Sequence, residues 1–592
     1  MSPALAALAA FAAYFLAYRF YSKFLATRLF NLDPDRQTPA YALEDGVDYE
    51  PTPAPVLFGH HYASITGLAP MLGPAIAVIW GWAPAMIWVV LGSIFIGCVH
   101  DFSALVVSAR ARGLSVGSVA QGVIGPRARV LFLLIIFFGV ALAMGVFVFV
   151  IAKLFGLYIV PPNETTGSAG LEGYPQAVFP SALLMVIAMI SGYLLKRRGA
   201  PLGPVIAVGF VLMLGGIYLG LVFKESGYYG GWWPSSTTWT LILLAYAFAA
   251  SVLPVWSLLQ PRDFLNSLLL YLGLGLAYIG LFTSNPDFAA PALVPEPEGA
   301  PPMLPFVFIL IACGAASGFH GLVSSGTTAK QLSNETHARP IGYGAMIGES
   351  LLGLLAVLAC TAGFSSSAAW HTHYASFSAA QGLAKKLSGF IDGTTSFLSS
   401  LGLPPELASA LIAMVVVSFA LTTLDSATRL LRFNIEELFG PLKLPGITNR
   451  YVSSALACAT IGFFAFYEVD GKPAALALWA LFGTTNQLLA GLTLLMVTLY
   501  LKHRGKPTLY TGIPAVFIMA TTLVSMTLNL KRFAFGAKPD YLLTTVGAVL
   551  LGLGLWLVVE AALALRRTET TDDPLIHIDM DPVELSGSAP TP

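Results

Sequence analysis

The sequence predicts an all-α, polytopic membrane protein with about fifteen transmembrane helices. Hydrophobic residues make up 56% of the 592-residue chain and charged residues only 10%, whereas soluble domains carry roughly a quarter charged residues. Apolar runs long enough to cross a bilayer, which takes about 20 residues, recur from end to end. These runs lie near residues 4–26, 59–82, 84–108, 128–158, 177–196, 202–223, 238–258, 264–283, 303–328, 342–363, 406–431, 450–467, 474–500, 511–530 and 541–565.

The loops between these runs differ in charge. Most of the 31 Lys and Arg residues fall in one set of alternate loops, and basic residues are retained on the cytoplasmic side of a membrane. This asymmetry predicts an external N-terminus and a cytoplasmic C-terminus. The chain from Thr568 onward is acidic and rich in proline and serine, which is typical of a disordered tail.

One run is interrupted in its middle, in the stretch "GHHYASITGLAPMLGP" at residues 59–74. Glycine and proline free backbone groups from a helix, and the bilayer core has no water to satisfy them. A proline kink that curves a long helix is one explanation. A discontinuous helix that binds a substrate near the membrane centre is the other.

A second interruption favours the substrate-binding explanation. Five runs further on, "ASVLPVWSLLQPRD" ends the run 238–258, and we expect it to break around Pro254 to Trp256. The spacing fits the LeuT-type arrangement of two inverted five-helix repeats. The predicted divisions are an extra helix and cytoplasmic linker at 1–58, repeats at 59–223 and 238–431, four extra helices at 450–565 and the tail at 566–592.

A helix N-terminus inside the membrane offers unpaired N–H groups and a positive dipole end to a carboxylate. The small residues and hydroxyls of the first interruption, with two polar residues of the second, therefore form the predicted substrate site. These residues are Ser64, Thr66, Gly67, Ala69, Met71, Leu72, Gly73, Trp256 and Gln260.

The stretch "CGAASGFHGLVSSGTTAKQL" at residues 313–332 is the predicted ion site. The hydroxyls of Ser324, Ser325, Thr327 and Thr328 suit an alkali cation such as sodium, although such residues also hold packed helices together. The ammonium group of Lys330 could replace that ion or relay a proton.

Ionisable residues inside a membrane are expensive and mark functional sites. His60, His61, Asp101, His320 and Glu349 are the candidates for proton coupling, with His100 and Asp425 at similar predicted depth. We expect Asp101 to contact the helix of His60 and His61, as a structural ion pair or as a proton-handling pair. We expect Asp425 to pair locally with Arg429, four residues on. Their spacing does not match HExxH, and no metal or other cofactor is predicted.

Six stretches carry a family resemblance: "FGHHYASITGLAPMLGPAIAVIWGW", "VHDFSALVVSAR", "SGFHGLVSSGTTAKQL", "IGYGAMIGESL", "LTTLDSATRLLR" and "LFGTTNQLLA". In this order they resemble the signature blocks of the carbon starvation protein A family of bacterial inner-membrane transporters. The resemblance implies import of peptides or pyruvate under carbon starvation, by proton symport in the pyruvate members. It also implies a LeuT-type core.

Three classes of function compete at this point. A secondary transporter explains the paired interruptions, a channel calls for a filter motif that the sequence lacks, and a membrane enzyme would use the His and Asp residues as catalysts. We expect a transporter rather than an enzyme, with a small carboxylate substrate and either a proton or a sodium ion as partner. The neutral net charge gives no reason to expect nucleic acid.

Overall fold

The computed structural model describes residues 2–156, 158–160, 170–380, 383–442, 446–469, 472–473, 475–536 and 539–566. These residues form twenty helices, besides one-turn helices at Pro39–Ala42, Thr328–Lys330, Phe377–Ala380 and Gly440–Leu442. They are α1 Pro3–Leu29, α2 Ala54–Ile65, α3 Ala69–Trp80, α4 Trp82–Arg110, α5 Val116–Val123, α6 Pro126–Phe155, α7 Pro175–Arg198, α8 Leu202–Glu225, α9 Ser236–Val252, α10 Leu259–Ser284, α11 Met303–Leu310, α12 Gly318–Gly326, α13 Glu335–Ala362, α14 Ser367–His373, α15 Leu383–Ser399, α16 Pro405–Phe439, α17 Arg450–Phe466, α18 Ala475–His503, α19 Leu509–Phe535 and α20 Tyr541–Leu565.

Two short antiparallel hairpins complete the secondary structure of the described residues. Tyr158–Val160 pairs with Gly170–Glu172, and Glu468–Val469 pairs with Lys472–Pro473. The predicted disordered tail lies outside the described residues.

The all-α, polytopic prediction is confirmed, because helices occupy all fifteen predicted runs. Within the described residues, eleven helices are long and apolar enough to cross a membrane, and the bent pair α2–α3 passes the same test when its two helices are taken together, as a broken span or a re-entrant loop. Two of the other runs are the shorter apolar helices α9 and α17, and 303–328 is divided into α11 and α12. The number of spans that cross the bilayer therefore stays a prediction.

The first interruption is shorter than the sequence indicates. Helix α2 ends at Ile65, α3 begins at Ala69, and their axes meet at 45°. The helix then continues through Pro74, which corrects the expected loss of helical bonding from Gly67 to Pro74. Pro70 is tolerated because it lies in the first turn of α3, where a helix needs no intrahelical N–H donor.

The second interruption within a predicted run lies elsewhere in the chain. Residues 253–258 are a loop that joins α9 to α10, so Pro254 to Trp256 do not break a single helix. Residues 311–317 instead separate α11 from α12. Helix α11 packs against α3, and α12 packs against α2 and α4. The division into repeats at 59–223 and 238–431 stays a prediction.

The interrupted helices lie inside the bundle. Helix α2 packs against α10 and α16, and α3 packs against α13 and α15. Every described side chain from Gly59 to Trp80 is buried. At the far end of α3, the Tyr374 hydroxyl donates to the carbonyl of Ala75 at 2.8 Å. The interruption is thus enclosed by protein, as non-helical backbone at membrane depth requires.

Candidate substrate and ion site

The N-terminus of α3 is open to a ligand at only a few backbone positions. The N–H groups of Met71 and Leu72 donate to the carbonyl of Leu68 at 3.1 and 3.0 Å, and Gly73 lies inside the helix. This corrects the expectation that these three residues offer free N–H groups. Gly67 and Ala69 do lie at the interruption, and Leu68, the residue before α3, supplies no side-chain cap.

The N-terminus of α12 is already occupied by a side chain. The Asn486 amide oxygen accepts the N–H of Phe319 at 2.9 Å and the hydroxyl of Ser317 at 3.2 Å. A small cavity opens between the two interruptions, lined among others by Ala69, Leu310, Ala312, Cys313, Phe482 and Asn486. On the α3 side, the cavity therefore meets a helix N-terminus without a side-chain cap. On the α12 side, Asn486 already caps the helix N-terminus.

A buried His–Asp pair joins α2 to α10. His60 Nδ1 lies 2.6 Å from Asp263 Oδ2, and both side chains are fully buried. The Ser64 hydroxyl lies 3.4 Å from the same carboxylate oxygen and 2.8 Å from the Ser426 hydroxyl. One turn of α2 thus connects an ionisable pair to the residues just before the interruption.

Arg262 extends this pair into a larger charged cluster. Its guanidinium lies 2.7 Å from Asp263 Oδ1, donates to the Tyr246 hydroxyl at 2.6 Å and contacts the carboxylate of Asp425. Asp425 therefore pairs across helices, and the expected local pair with Arg429 is wrong. A buried arginine between two carboxylates avoids leaving either charge unpaired.

A second buried cluster connects α4, α12 and α13. Asp101 accepts from His100 Nδ1 at 2.7 Å and from His320 Nδ1 at 2.9 Å. His320 Nε2 lies 3.3 Å from Glu349 Oε2, and these side chains are all fully buried. The expected contact of Asp101 with the helix of His60 and His61 is therefore wrong, because the first turn of α12 carries the histidine that reaches Asp101.

Three of the four hydroxyls of the predicted sodium site hydrogen-bond to different partners. Thr328 Oγ1 lies 2.8 Å from His61 Nδ1, Thr327 donates to the Val323 carbonyl, and Ser325 accepts the N–H of Val116. Ser324 Oγ is buried without a hydrogen-bond partner in the described part of the chain. Three of the four oxygens are thus used in separate contacts.

Trp256, Gln260 and Lys330 lie against the linker between α1 and α2 rather than at the α3 terminus. The Trp256 indole donates to the Gly46 carbonyl at 3.1 Å, and the Gln260 amide donates to the Thr52 hydroxyl at 2.8 Å. The Lys330 carbonyl accepts the N–H of Glu50 at 3.3 Å, and Lys330 Nζ lies 5.2 Å from the ring centroid of Tyr49, both in the linker. The structure does not bring these three side chains together with Gly67 and Ala69.

The linker is fixed to the helix bundle by ion pairs. Asp48 binds Arg429 at 2.5 Å and Arg432 at 2.9 Å. Burial alone would raise the pKa of Asp48, but the two guanidinium groups hold it well below its usual range. A charged aspartate thus ties the linker to α16.

Comparison with known proteins gives the family. The sequence model described as "Carbon starvation protein CstA" matches residues 3–381 and 363–525. The chain belongs to the carbon starvation protein CstA family. It is 33% identical to the peptide transporter CstA of Campylobacter jejuni, over 91% of this chain and 82% of that protein. It is 32% identical to the pyruvate/proton symporter BtsT of Escherichia coli, over 88% and 80%.

Solved structures show weaker likeness. A mutant of the Eremococcus coleocola manganese transporter is 12% identical with a TM-score of 0.43, covering 88% of this chain and 99% of its own. MhsT in complex with L-phenylalanine is 13% identical with a TM-score of 0.42, covering 86% and 97%.

The central ion pairs of this CstA-family chain are not predicted by its sequence. Arg262 and Asp263 lie between the predicted runs 238–258 and 264–283, whereas α10 begins at Leu259 and buries both side chains completely. An Arg–Asp pair directly before a long apolar run was the available signal. Asn486 lay in the quoted block "LFGTTNQLLA", but its role as a cap for α12 depends on packing between helices distant in sequence.

Gly67 of the first interruption and Gly73 of α3 should respond differently to a methyl group. A Cβ on Gly73 would lie 2.2 Å from the Leu310 carbonyl oxygen, whereas one on Gly67 would meet the ends of the Thr423 and Phe147 side chains at 2.9 and 3.1 Å. We expect Gly73→Ala to destabilise the protein by about 1–3 kcal/mol through overpacking and Gly67→Ala to have a smaller effect. Thermal unfolding in detergent measures the stability of both variants. Equal unfolding temperatures for the two would contradict the close contact between Gly73 and the Leu310 carbonyl.

Proposed function

We propose that the protein is a secondary active transporter that imports a small carboxylate nutrient, a peptide or pyruvate, by proton symport. The observation that carries this proposal is the buried His60–Asp263 pair, hydrogen-bonded at 2.6 Å one turn from the interruption of the α2–α3 span. Imidazole changes charge near neutral pH, and an aspartate partner tunes that change. The named functions of the relatives, peptide transport and pyruvate/proton symport, support the same class.

The substrate carboxylate binds at the N-terminus of α3 in this proposal. Gly67 and Ala69 present backbone there, the dipole end of α3 is positive, and an anion is stabilised at such a terminus. The adjoining cavity reaches Asn486 and Cys313 on the opposite side. Ser64 and Thr66, also buried at this point, supply hydroxyls on the α2 side.

Proton binding is coupled to the substrate through Ser64. Its hydroxyl contacts both Asp263 and Ser426, so a proton on the His60–Asp263 pair changes the hydrogen bonds of the last turn of α2. That turn leads directly into the interruption. Proton binding to the His60–Asp263 pair and carboxylate binding at the N-terminus of α3 therefore both act on residues 66–68, which join α2 to α3.

The proposed orientation follows the loop charges, with an external N-terminus and a cytoplasmic C-terminus in a bacterial inner membrane. In this orientation the linker that carries Asp48 closes the cytoplasmic end of α2. The substrate and the proton would leave the site on that side.

Transport assays in proteoliposomes test the proposal. Labelled pyruvate and a labelled dipeptide are offered separately, in sodium-free buffer, with an inward proton gradient. We expect accumulation of at least one of them, and its loss when a protonophore dissipates the gradient. Accumulation that requires sodium and ignores the proton gradient would reject proton symport, and no accumulation of either compound under any gradient would reject the substrate class.

A further inference from the structure

Three potential metal ligands meet beside the second interruption. Cys313 Sγ, a ring nitrogen of His320 and a carboxylate oxygen of Glu349 lie within 4.8 Å of one another, and all three residues are buried. They come from three places: the 311–317 connection, the first turn of α12, and α13. We propose that these residues bind a divalent transition-metal ion of the Zn²⁺ class, a site separate from the His60–Asp263 pair.

The two ring nitrogens of His320 face different carboxylates. An ionised carboxylate only accepts, so His320 Nδ1 donates to Asp101 Oδ2 at 2.9 Å. Nε2 faces Glu349 Oε2 at 3.3 Å. Asp101 thus holds Nδ1, and Nε2 is the nitrogen that a metal ion between His320 and Glu349 would bind.

Several buried atoms of the site have no hydrogen-bond partner within the described residues. They are His320 Nε2, Glu349 Oε1 and Glu349 Oε2. Buried polar atoms are normally hydrogen-bonded, and a metal ion bound to His320 Nε2 and to one Glu349 oxygen would give those two atoms a partner. These orphaned atoms are the independent observation that points to a ligand.

The surrounding side chains match the outer shell of a metal site. A metal-binding histidine typically donates its other ring N–H to a carboxylate, as His320 does to Asp101, and Asp101 is in turn held by His100. The Asn486 amide donates to Cys313 Sγ at 3.6 Å, which suits a thiolate. The Cys313 thiol also donates to the Ser317 hydroxyl at 3.3 Å, and on metal binding it would lose that proton and accept from Ser317 instead. One thiolate and one carboxylate also neutralise a divalent cation, which lowers the penalty of burying the charge.

The ligand types select the metal class. A thiolate, an imidazole and a carboxylate together favour zinc and similar borderline cations over Mg²⁺ or Ca²⁺, which prefer oxygen ligands. Three protein ligands also leave a fourth tetrahedral position unassigned. Cys313 lines the cavity between the interruptions, so that position is next to the proposed substrate path.

Spectroscopy of the purified protein tests the site without any transport measurement. The full chain in detergent is stripped with a chelator, desalted and titrated with Co²⁺, which gives a thiolate charge-transfer band when a cysteine binds it. We expect one equivalent of Co²⁺ with that band, displaced by Zn²⁺ but not by Mg²⁺. Absence of the band in the unmodified chain would overturn the proposal, whatever the variants do.

Substitutions test whether the charge-transfer band comes from Co²⁺ bound to Cys313, His320 and Glu349. Cys313→Ser should remove the band, and Glu349→Gln should weaken Co²⁺ binding. Asp101 contacts His320 but neither of the other two ligands, and Asp101→Asn should weaken Co²⁺ binding about 10–100-fold. Cys360→Ser replaces an equally buried cysteine of α13 and should bind like the unmodified chain. A band that survives in well-folded Cys313→Ser, or that disappears in Cys360→Ser, would reject the assignment.

Discussion

Replacing Asp263 by asparagine should abolish proton-driven accumulation while leaving substrate exchange intact. Asparagine resembles the protonated aspartate in shape but cannot release a proton to the other side. A one-unit pH gradient is worth about 1.36 kcal/mol per proton, so a one-proton symporter accumulates substrate about tenfold. We expect the Asp263→Asn protein to stay at an internal-to-external ratio of about one, measured in proteoliposomes with the substrate found for the unmodified chain.

The control for this experiment is Asp287→Asn, which changes an exposed aspartate in the connection after α10. That variant should accumulate substrate normally. Exchange of labelled for unlabelled substrate, measured without a gradient, shows that the Asp263→Asn binding site still works. If Asp263→Asn accumulates substrate as well as the control does, the His60–Asp263 pair is structural and the proton is carried elsewhere.

Replacing Arg262 by methionine should cause the largest loss of stability among the substitutions considered. The Arg262 side chain is fully buried between Asp263 and Asp425, and its removal leaves both carboxylates without their cation. Breaking a buried pair from one side costs about 3–5 kcal/mol. Unfolding of detergent-solubilised protein, followed by intrinsic fluorescence, measures the change.

Two comparisons separate the charge effect from general disruption. Arg127→Met breaks a pair with Glu560 in which the arginine is 79% exposed, and exposed pairs contribute only about 0–1 kcal/mol. The double variant Arg262→Met with Asp425→Leu should recover part of the loss, because one of the two unpaired charges is gone. Equal destabilisation by Arg262→Met and Arg127→Met would contradict the buried cluster.

The interruption at Gly67 could be predicted because its cause is local. Glycine and proline act on the backbone of their own segment, so "TGLAPMLGP" marks a break wherever the segment is placed. Its length was overestimated, since Pro70 and Pro74 fit within α3. The second interruption, at 311–317, contains glycine but no proline, and it is not predicted. The prolines near Pro254 predict an interruption where the structure has a loop between two helices.

The ion pairs could not be predicted from spacing along the chain. Asp101 and His320 are 219 residues apart, and His60 and Asp263 are 203 apart. Together with Glu349, these residues make five titratable groups. The sequence predicts four of them, all except Asp263, as unusual ionisable residues at membrane depth, but it pairs Asp101 with the wrong helix. Several antiparallel neighbours were compatible with the same predicted depth.

The sequence by itself determined the membrane class, the helical architecture, the family and the first interruption, because composition, apolar run length and backbone-breaking residues act locally. Only the tertiary structure decided which charges meet. It pairs Asp263 with His60 and Asp101 with His320, and it puts Arg262 between Asp263 and Asp425. The physical reason is that a buried charge is stable only beside a partner, and that partner is set by how distant helices pack.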